Sequence, residues 1–212
     1  MPEKPNRPPL KWLLLSSLGI VLLGMAPVVW YVSLPDDFHA GRELQARGFI
    51  VCYGTFWRHP IYVHAHSLDI TPEDCRLISR LTRVSGLYFY GGDVSELNLD
   101  AIGNCRELWS VSFDNVTRFP VNELRKLAAC QIVHINLNNI DLKDSDLEIL
   151  TELPALRILN LQGNAGINDA GLECLEKFSS LKSLYLQKTS VTQEGVAKFQ
   201  KKRPDIEIVY IN

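Results

Sequence analysis

The 212-residue chain carries 22 Lys and Arg residues against 24 Asp and Glu residues, which gives a net charge of −2 at pH 7. This near-neutral balance excludes the concentrated basic surface that phosphate binding requires, so we expect no nucleic-acid partner. The length is enough for one extended domain together with an anchoring segment. Residues 198–203 carry a concentrated basic cluster, which is explained more simply as the polar end of a terminal helix.

The first predicted element is a transmembrane helix. Residues 12–34 lie in a stretch without charge and form a predominantly apolar run of 23 residues. At 1.5 Å per residue, this run is long enough to cross a hydrocarbon core about 30 Å thick. Positive charges in the preceding tail, residues 1–11, and acidic residues directly after the run predict a cytosolic N-terminus. We therefore expect a signal-anchor helix in the cell membrane, crossing it once, with the rest of the chain outside the cytosol.

A cleaved secretory signal is the alternative for the same segment, because a charged start followed by an apolar core fits that pattern too. Pro27 would fall just after a cut following Ala26, which disfavours cleavage, and apolar character continues as far as Tyr31. These residues favour a span that stays in the mature protein.

Residues 35–60 are predicted to form a juxtamembrane N-terminal cap. Asp36 and Asp37 are suited to the start of a helix, and Gly48 is placed to end it. A short alternating segment, residues 49–53, predicts a strand. A helix and a strand at this point would cover the core face that the first unit of a following repeat domain exposes.

Residues 61–212 repeat the pattern apolar-x-x-apolar-x-apolar with a period of 24 or 25 residues. Each copy predicts a short parallel strand, and the residues between copies predict a helical return. A partial first repeat has its strand at 61–65 and its return at 70–81. The full copies are Val84/Leu87/Phe89, Leu108/Val111/Phe113, Ile132/Ile135/Leu137, Leu156/Leu159/Leu161, Leu181/Leu184/Leu186 and Ile206/Val209/Ile211.

The predicted returns align as two apolar columns at helical spacing, and both are expected to face the core. Thr71, followed by Pro72, is expected to cap the first of these helices. The first column is Cys75, Leu99, Leu124, Leu147, Leu172 and Val196, and the second is Ile78, Ile102, Leu127, Leu150, Leu175 and Phe199.

The string Leu181-x-x-Leu184-x-Leu186-x-x-Thr189-x-Val191-Thr192-x-x-Gly195-Val196 resembles the repeats of bacterial membrane-anchored leucine-rich repeat proteins. It is similar also to the repeats of F-box-associated adaptors, but no F-box-like segment precedes the repeats, so an adaptor role is not expected. The resemblance covers about 150 of the 212 residues. It implies an α/β leucine-rich repeat solenoid, with parallel strands on a concave face and helical returns on a convex face, preceded by one transmembrane helix.

The repeats depart from the family pattern at the position after each strand that usually holds Asn or Cys. This position reads Gly92, Val116, Ile140, Asn164 and Thr189. Only the last two are therefore expected to extend a ladder of side-chain hydrogen bonds to the backbone.

Residues that alternate with the core residues of each strand are predicted to line the concave face. Tyr, Trp and Arg are enriched at binding hot spots, and the amides between them suit a peptide or a glycan. We expect a non-catalytic interaction or scaffolding module with a protein partner of unknown identity; a structural envelope component that binds polysaccharide is the alternative. In the interpretation without a binding function, these residues form an ordinary exposed strand surface. The candidate partner-binding residues are Tyr88, Tyr90, Trp109, Asp114, His134, Asn136, Asn138, Arg157, Asn160, Gln162, Tyr185, Gln187 and Tyr210.

No motif in the chain predicts catalysis, a metal or a cofactor. The sequence lacks G-x-S-x-G, P-loop and paired-carboxylate patterns, so we do not expect an enzyme. His64 and His66 would place two imidazoles on one side of a strand, but no further ligand pattern accompanies them. Cys75, Cys105 and Cys130 occupy apolar columns and are expected to be reduced core thiols.

Overall fold

The computed structural model describes residues 36–53, 61–100, 102 and 107–210. The predicted cytosolic tail, 1–11, and the predicted membrane span, 12–34, lie outside these residues. Within the described ranges, no helix combines the length and the apolar character that crossing a bilayer requires.

Eight strands form one sheet in which sequence order and spatial order coincide. The first two strands pair antiparallel, and every later pair is parallel. The core residues of the parallel strands stay in register from Leu87 through Val111, Ile135 and Leu159. The strands are β1 (Ile50–Tyr53), β2 (Ile61–His66), β3 (Val84–Tyr90), β4 (Ser110–Asp114), β5 (His134–Asn138), β6 (Ile158–Asn160), β7 (Ser183–Tyr185) and β8 (Glu207–Val209).

The side chains of β2 to β7 alternate between a core side and the opposite side of the sheet, which we call the open face. The open face corresponds to the predicted concave surface. It consists of Tyr62, His64, His66, Gly86, Tyr88, Tyr90, Ser110, Ser112, Asp114, His134, Asn136, Asn138, Ile158, Asn160, Ser183 and Tyr185, with Gln162 and Gln187 two residues beyond the ends of their strands.

The returns between strands are helical, as predicted, but of two kinds. The α-helices are α1 (Asp36–Ala46), α2 (Pro72–Ser79), α3 (Asp169–Leu175) and α4 (Gln193–Lys202). Two central returns, Val121–Ala129 and Asp144–Glu152, are 3₁₀ helices of nine residues each. A 3₁₀ helix rises about 2.0 Å per residue, so nine residues reach about 18 Å instead of the roughly 14 Å of an α-helix. The described residues between β3 and β4 contain no helix.

Both predicted apolar columns of the returns are confirmed as core. Each of their residues is buried, except for the half-buried Val196. The strands supply the facing layer, in which the Phe89 and Phe113 rings stack with their centroids 5.1 Å apart. Since every repeat contributes the same two layers, the core runs through the whole described repeat region.

The predicted side-chain ladder is present at Asn164, which is fully buried. Its oxygen accepts hydrogen bonds from the Ile140 and Leu142 N–H groups, both at 3.1 Å, in the preceding repeat. Its nitrogen donates to the Leu137 and Leu161 carbonyl oxygens at 2.7 and 2.8 Å. Asn164 therefore joins two repeats through backbone groups that would otherwise lack partners.

Thr189, the other predicted member of the ladder, bonds differently. Its hydroxyl donates to the Leu186 carbonyl oxygen at 2.7 Å, which is a contact within its own repeat. The shorter threonine side chain thus closes a local turn and does not extend the ladder.

The predicted cap helix and strand are present at α1 and β1, and Gly48 follows α1 with the positive φ of 96° that favours glycine. Arg47 forms an ion pair with the buried carboxylate of Asp74 in α2. Burial alone would raise the pKa of Asp74, but hydrogen bonds from Arg47 and Thr71 outweigh it and hold the pKa below its ordinary value of 3.8. Thr71 also caps α2 as predicted, because its hydroxyl accepts from the Asp74 N–H. The cap is therefore bonded to the first return.

The last strand departs from the predicted register. The repeat pattern predicts Val209 on the core side, but Ile208 is the residue that pairs with Leu184, and Val209 pairs with Tyr185. The buried Ile206 precedes this core residue by two positions, where earlier repeats have three. The sheet pairing therefore keeps a 24-residue step, although the apolar pattern has moved by one residue.

Tyr210 consequently lies on the core side of the sheet. Its hydroxyl donates a hydrogen bond to the Val191 carbonyl oxygen at 2.9 Å, and its ring packs against the hydrophobic core. The prediction that Tyr210 belongs to the binding face is wrong, because a shift of one residue turns a strand side chain to the other side.

Candidate functional site

The open face carries the candidate binding residues in three aligned rows. The register confirms that Tyr88, Ser112, Asn136, Asn160 and Tyr185 share one row across β3 to β7. Tyr90, Asp114 and Asn138 share the next row, which Gln162 and Gln187 extend beyond their strands. His134 lies in the remaining row, beside Ser110 and Ile158.

One end of the open face is a cluster of five rings, Tyr62, His64, His66, Tyr88 and Tyr90, which we call the ring cluster. The His64 and Tyr88 rings stack with centroids 4.7 Å apart, and the His66 and Tyr90 rings do so at 4.8 Å. The paired positions in the register of β2 and β3 place these rings side by side.

Gly86 provides the space that the ring cluster needs. A Cβ atom at this position would lie 2.6 Å from the Tyr88 ring and 2.8 Å from the Tyr62 ring. Any other residue would therefore push at least one ring aside.

Sequence reasoning missed three members of the ring cluster: Tyr62, His64 and His66. The strand at 61–65 was predicted, and its apolar residues Ile61, Val63 and Ala65 are buried. The same alternation places the residues between them on the open face, so the signal was present in the pattern. The expectation for His64 and His66 concerns only metal binding. Among the described residues, no group of three or more His, Cys, Asp and Glu side chains could hold a metal ion.

Two histidines of the open face, His64 and His134, have a pKa below the ordinary histidine value. Burial lowers the pKa of His64 from its ordinary value of 6.5, and the neighbouring His66 lowers it further. Burial also lowers the pKa of His134, whose Nδ1 lies 3.3 Å from the Ser110 hydroxyl. His64 and His134 are therefore predominantly neutral at pH 7 and add little positive charge to this surface.

The centre of the open face is rich in amides and contains hydrogen-bonding atoms without partners. Asn160 is satisfied, because its Oδ1 accepts from the Gln162 N–H at 3.0 Å. Four other oxygen atoms on the open face are buried and have no hydrogen-bond partner within the described part of the protein: Ser112 Oγ, Asn136 Oδ1, Asn138 Oδ1 and Gln187 Oε1. We call these the orphan oxygens. In the described part of the chain, every buried side-chain polar atom without a partner lies on this one surface.

Two candidate residues, Trp109 and Arg157, border the open face. Each stands directly before a strand, in line with Val133 and Lys182, and the backbone bonds of this row link β3 to β7. Trp109 is 41% exposed, which is high for a large aromatic side chain. These residues therefore form a rim along the N-terminal ends of the strands.

Comparisons with known proteins give only distant structural matches. No family model matches the chain, and no curated protein matches it. The chain is similar to the structure of an internalin from Listeria monocytogenes, with 18% identity and a TM-score of 0.48, over 70% of this chain and 41% of that one. It is similar also to a leucine-rich repeat protein from Leptospira interrogans, with 16% identity and a TM-score of 0.45, over 66% of this chain and 34% of that one.

A third solved structure, internalin C2 from Listeria monocytogenes, shares 18% identity at a TM-score of 0.44, over 71% of this chain and 73% of that one. This chain spans less than half the length of the first two structures. The fold assignment rests on the chain itself: one parallel strand per 24 or 25 residues, returns packed on one side and the buried Asn164 ladder give this chain a leucine-rich repeat fold.

Proposed function

We propose that this protein is a non-catalytic, membrane-anchored leucine-rich repeat protein whose open face binds a protein partner outside the cytosol. The observation that carries the proposal is the ring cluster, together with the exposed Trp109 on the rim. Aromatic rings that are held rigidly at a surface are the usual anchors of protein interfaces, because they bury large areas while losing little conformational freedom.

The two sides of the sheet support a binding role for the open face. The core side repeats Leu, Val, Ile and Phe, whereas the open face changes from rings at β2 and β3 to amides at β5 and β6. A surface that served only to keep the strands soluble would not need stacked rings or buried amide oxygens without partners.

Membrane anchoring is part of the same proposal and rests on the sequence. The apolar run at 12–34, the positive tail at 1–11 and the acidic residues that begin α1 favour a single span with a cytosolic N-terminus. In this arrangement the cap, residues 35–60, lies next to the bilayer and the repeat domain, 61–212, extends away from it. Protease added to intact spheroplasts should digest a C-terminal tag and spare an N-terminal tag; the reverse result would overturn the topology.

Polysaccharide binding is the alternative, and the amide-rich centre of the open face favours it. Asn and Gln side chains both donate and accept hydrogen bonds, which suits sugar hydroxyl groups, and tyrosine rings stack on sugar faces. The protein would then be a structural component of the cell envelope.

The test compares the partner proteins that are captured by three forms of the full chain. Each form is crosslinked in cells and then recovered in mild detergent. The first is the wild type, the second carries Tyr88→Ser and Tyr185→Ser on the open face, and the third carries Gln193→Ser and Gln200→Ser at exposed positions of α4. Circular dichroism and melting curves establish that all three are folded. A protein recovered with the first and third forms, but reduced at least about tenfold with the second, is the expected result.

Equal recovery with all three forms would overturn the open face as the protein-binding site. Binding of the wild type to soluble glycans, lost with the tyrosine variant and without any captured protein, would establish the polysaccharide alternative instead.

A further inference from the structure

We propose that the open face recognises an extended, cationic segment of its protein partner, in which a Lys or Arg side chain pairs with Asp114 and neighbouring N–H groups bond to the orphan oxygens. This inference rests on the proposed protein-binding function and specifies the chemistry of the partner.

Asp114 is the centre of the argument because its negative charge is not balanced on the open face. In the sheet, Asp114 is paired with Tyr90 on one neighbouring strand and with Asn138 on the other, and both are uncharged at pH 7. Its carboxylate accepts a hydrogen bond from the Asn115 side chain at 2.5 Å, and it belongs to none of the ion pairs among the described residues. Unlike Asp74, Asp93 and Asp100, Asp114 therefore has no Lys or Arg partner within the described chain.

Lys and Arg side chains are missing from the described open face itself. The nearest row of the sheet with such side chains is the rim, where Arg157 and Lys182 stand before β6 and β7. Asp114 is the last residue of β4, at the opposite edge of the sheet, and Lys182 is already paired with Asp205 at 3.0 Å. After the end of β4, where Asp114 lies, Arg118 is paired with Asp93. Lys188 follows β7, three strands away, or about 14 Å at 4.8 Å per strand.

The orphan oxygens extend the same preference for hydrogen-bond donors. Ser112 lies on the same strand as Asp114, and Asn136 and Asn138 lie on the next strand. Each amide oxygen can accept a hydrogen bond, and a carboxylate can do nothing else. Lys, Arg and the peptide N–H are pure donors, so a cationic polypeptide supplies what this surface lacks.

A polypeptide fits this arrangement better than a neutral glycan. Sugar hydroxyl groups can satisfy amide oxygens, but they cannot neutralise Asp114. A desolvated carboxylate gains most from a cation, and the acceptors around it would also repel an acidic partner. Charge complementarity therefore points to a basic segment.

The test selects random twelve-residue peptides displayed on phage against the immobilised full chain in mild detergent. The enriched peptides should contain Lys or Arg above its frequency in the starting library. A synthetic copy of the most enriched peptide should bind Asp114→Asn at least about tenfold more weakly than the wild type. Glu148→Gln removes a negative charge from the helical side of the domain instead. It should change the Kd of the same peptide by less than about twofold.

A second measurement leaves the protein unchanged. Replacing the basic residue of the peptide by neutral citrulline or glutamine should weaken binding to the wild type to the same extent, and should have no further effect on Asp114→Asn. The measurement on the wild type tests the need for a basic side chain in the peptide even if the Asp114 variant folds poorly.

The failures of the two proposals are distinguishable. This inference would be overturned if the selected peptides lacked basic residues and their binding were lost with Tyr88→Ser and Tyr185→Ser but unaffected by Asp114→Asn. The proposed protein-binding function would then remain in place. Basic peptides that bind both proteins equally would also overturn it. If the binding of no selected peptide depends on either Asp114 or the tyrosines, the inference fails. If the tyrosine variant also captures its partners as well as the wild type does, the proposed function fails too.

Discussion

The core side and the open face of the sheet are built from alternating residues of the same strands, yet they follow different rules. On the core side of β3 to β5, Leu87, Val111 and Ile135 are interchangeable aliphatic residues, and all are fully buried. On the open face, Tyr88, Ser112 and Asn136 occupy neighbouring positions without any common chemistry. The stacking of repeats constrains one side only, so the other side is free to carry whatever recognition requires.

The largest expected effect is on the core side. Leu137 is completely buried in β5, so Leu137→Ala should lower the free energy of unfolding by about 2–5 kcal/mol. A cavity in one repeat weakens its stacking on both neighbours, and urea denaturation should therefore show an earlier midpoint for the whole domain. Leu137→Met, which keeps the volume, should cost less than about 1.5 kcal/mol. Equal stability of the alanine variant and the wild type would show that Leu137 does not face a packed core.

An intermediate effect is expected at Asn164, a polar residue that serves the core side. Asn164→Leu keeps a similar volume but leaves the Ile140 and Leu142 N–H groups buried without an acceptor. This should cost about 2–4 kcal/mol, as measured by thermal or urea denaturation.

Thr189→Val is the matched control for Asn164→Leu, because Thr189 occupies the equivalent position one repeat later. It removes a single hydrogen bond within one repeat, so the cost should be about 1 kcal/mol. A loss at position 189 as large as that at position 164 would contradict the difference between a ladder and a local turn.

The core side could be predicted from the sequence because its periodicity is redundant. The same apolar triplet and the same return columns recur in every repeat, and Asn164 could be assigned by its place after the strand. The choice between a 3₁₀ helix and an α-helix in the central returns could not be predicted from the sequence, since both kinds of helix bury the same residues, Leu124 and Leu127 among them.

The last strand shows where periodicity fails. Ile208 and Val209 are both apolar, so either can fill the core position, and the pattern alone does not choose between them. The backbone pairing with β7 and the hydrogen bond from Tyr210 to Val191 select Ile208. Positions on the open face of β3 to β7 followed from alternation, but their partnerless oxygens depend on side-chain contacts that no repeat pattern encodes.

The smallest expected effect on stability is on the open face. Asn138→Ala removes an amide whose oxygen is buried and accepts no hydrogen bond. Because an unsatisfied buried acceptor is itself unfavourable, the substitution should leave the free energy of unfolding unchanged or raise it by up to about 1 kcal/mol. Residues retained for binding at the expense of stability behave in this way.

Asn160→Ala is the control for Asn138→Ala, since the Asn160 oxygen accepts from the Gln162 N–H and the substitution should cost about 1 kcal/mol. The urea denaturation midpoint of Asn160→Ala should therefore fall below that of the wild type, whereas the midpoint of Asn138→Ala should not. A loss for Asn138→Ala equal to that for Asn160→Ala would mean that the Asn138 amide is satisfied within the chain. A loss of stability for Asn160→Ala alone would separate an amide that holds the strand from one that is available to a partner, on the same face of one sheet.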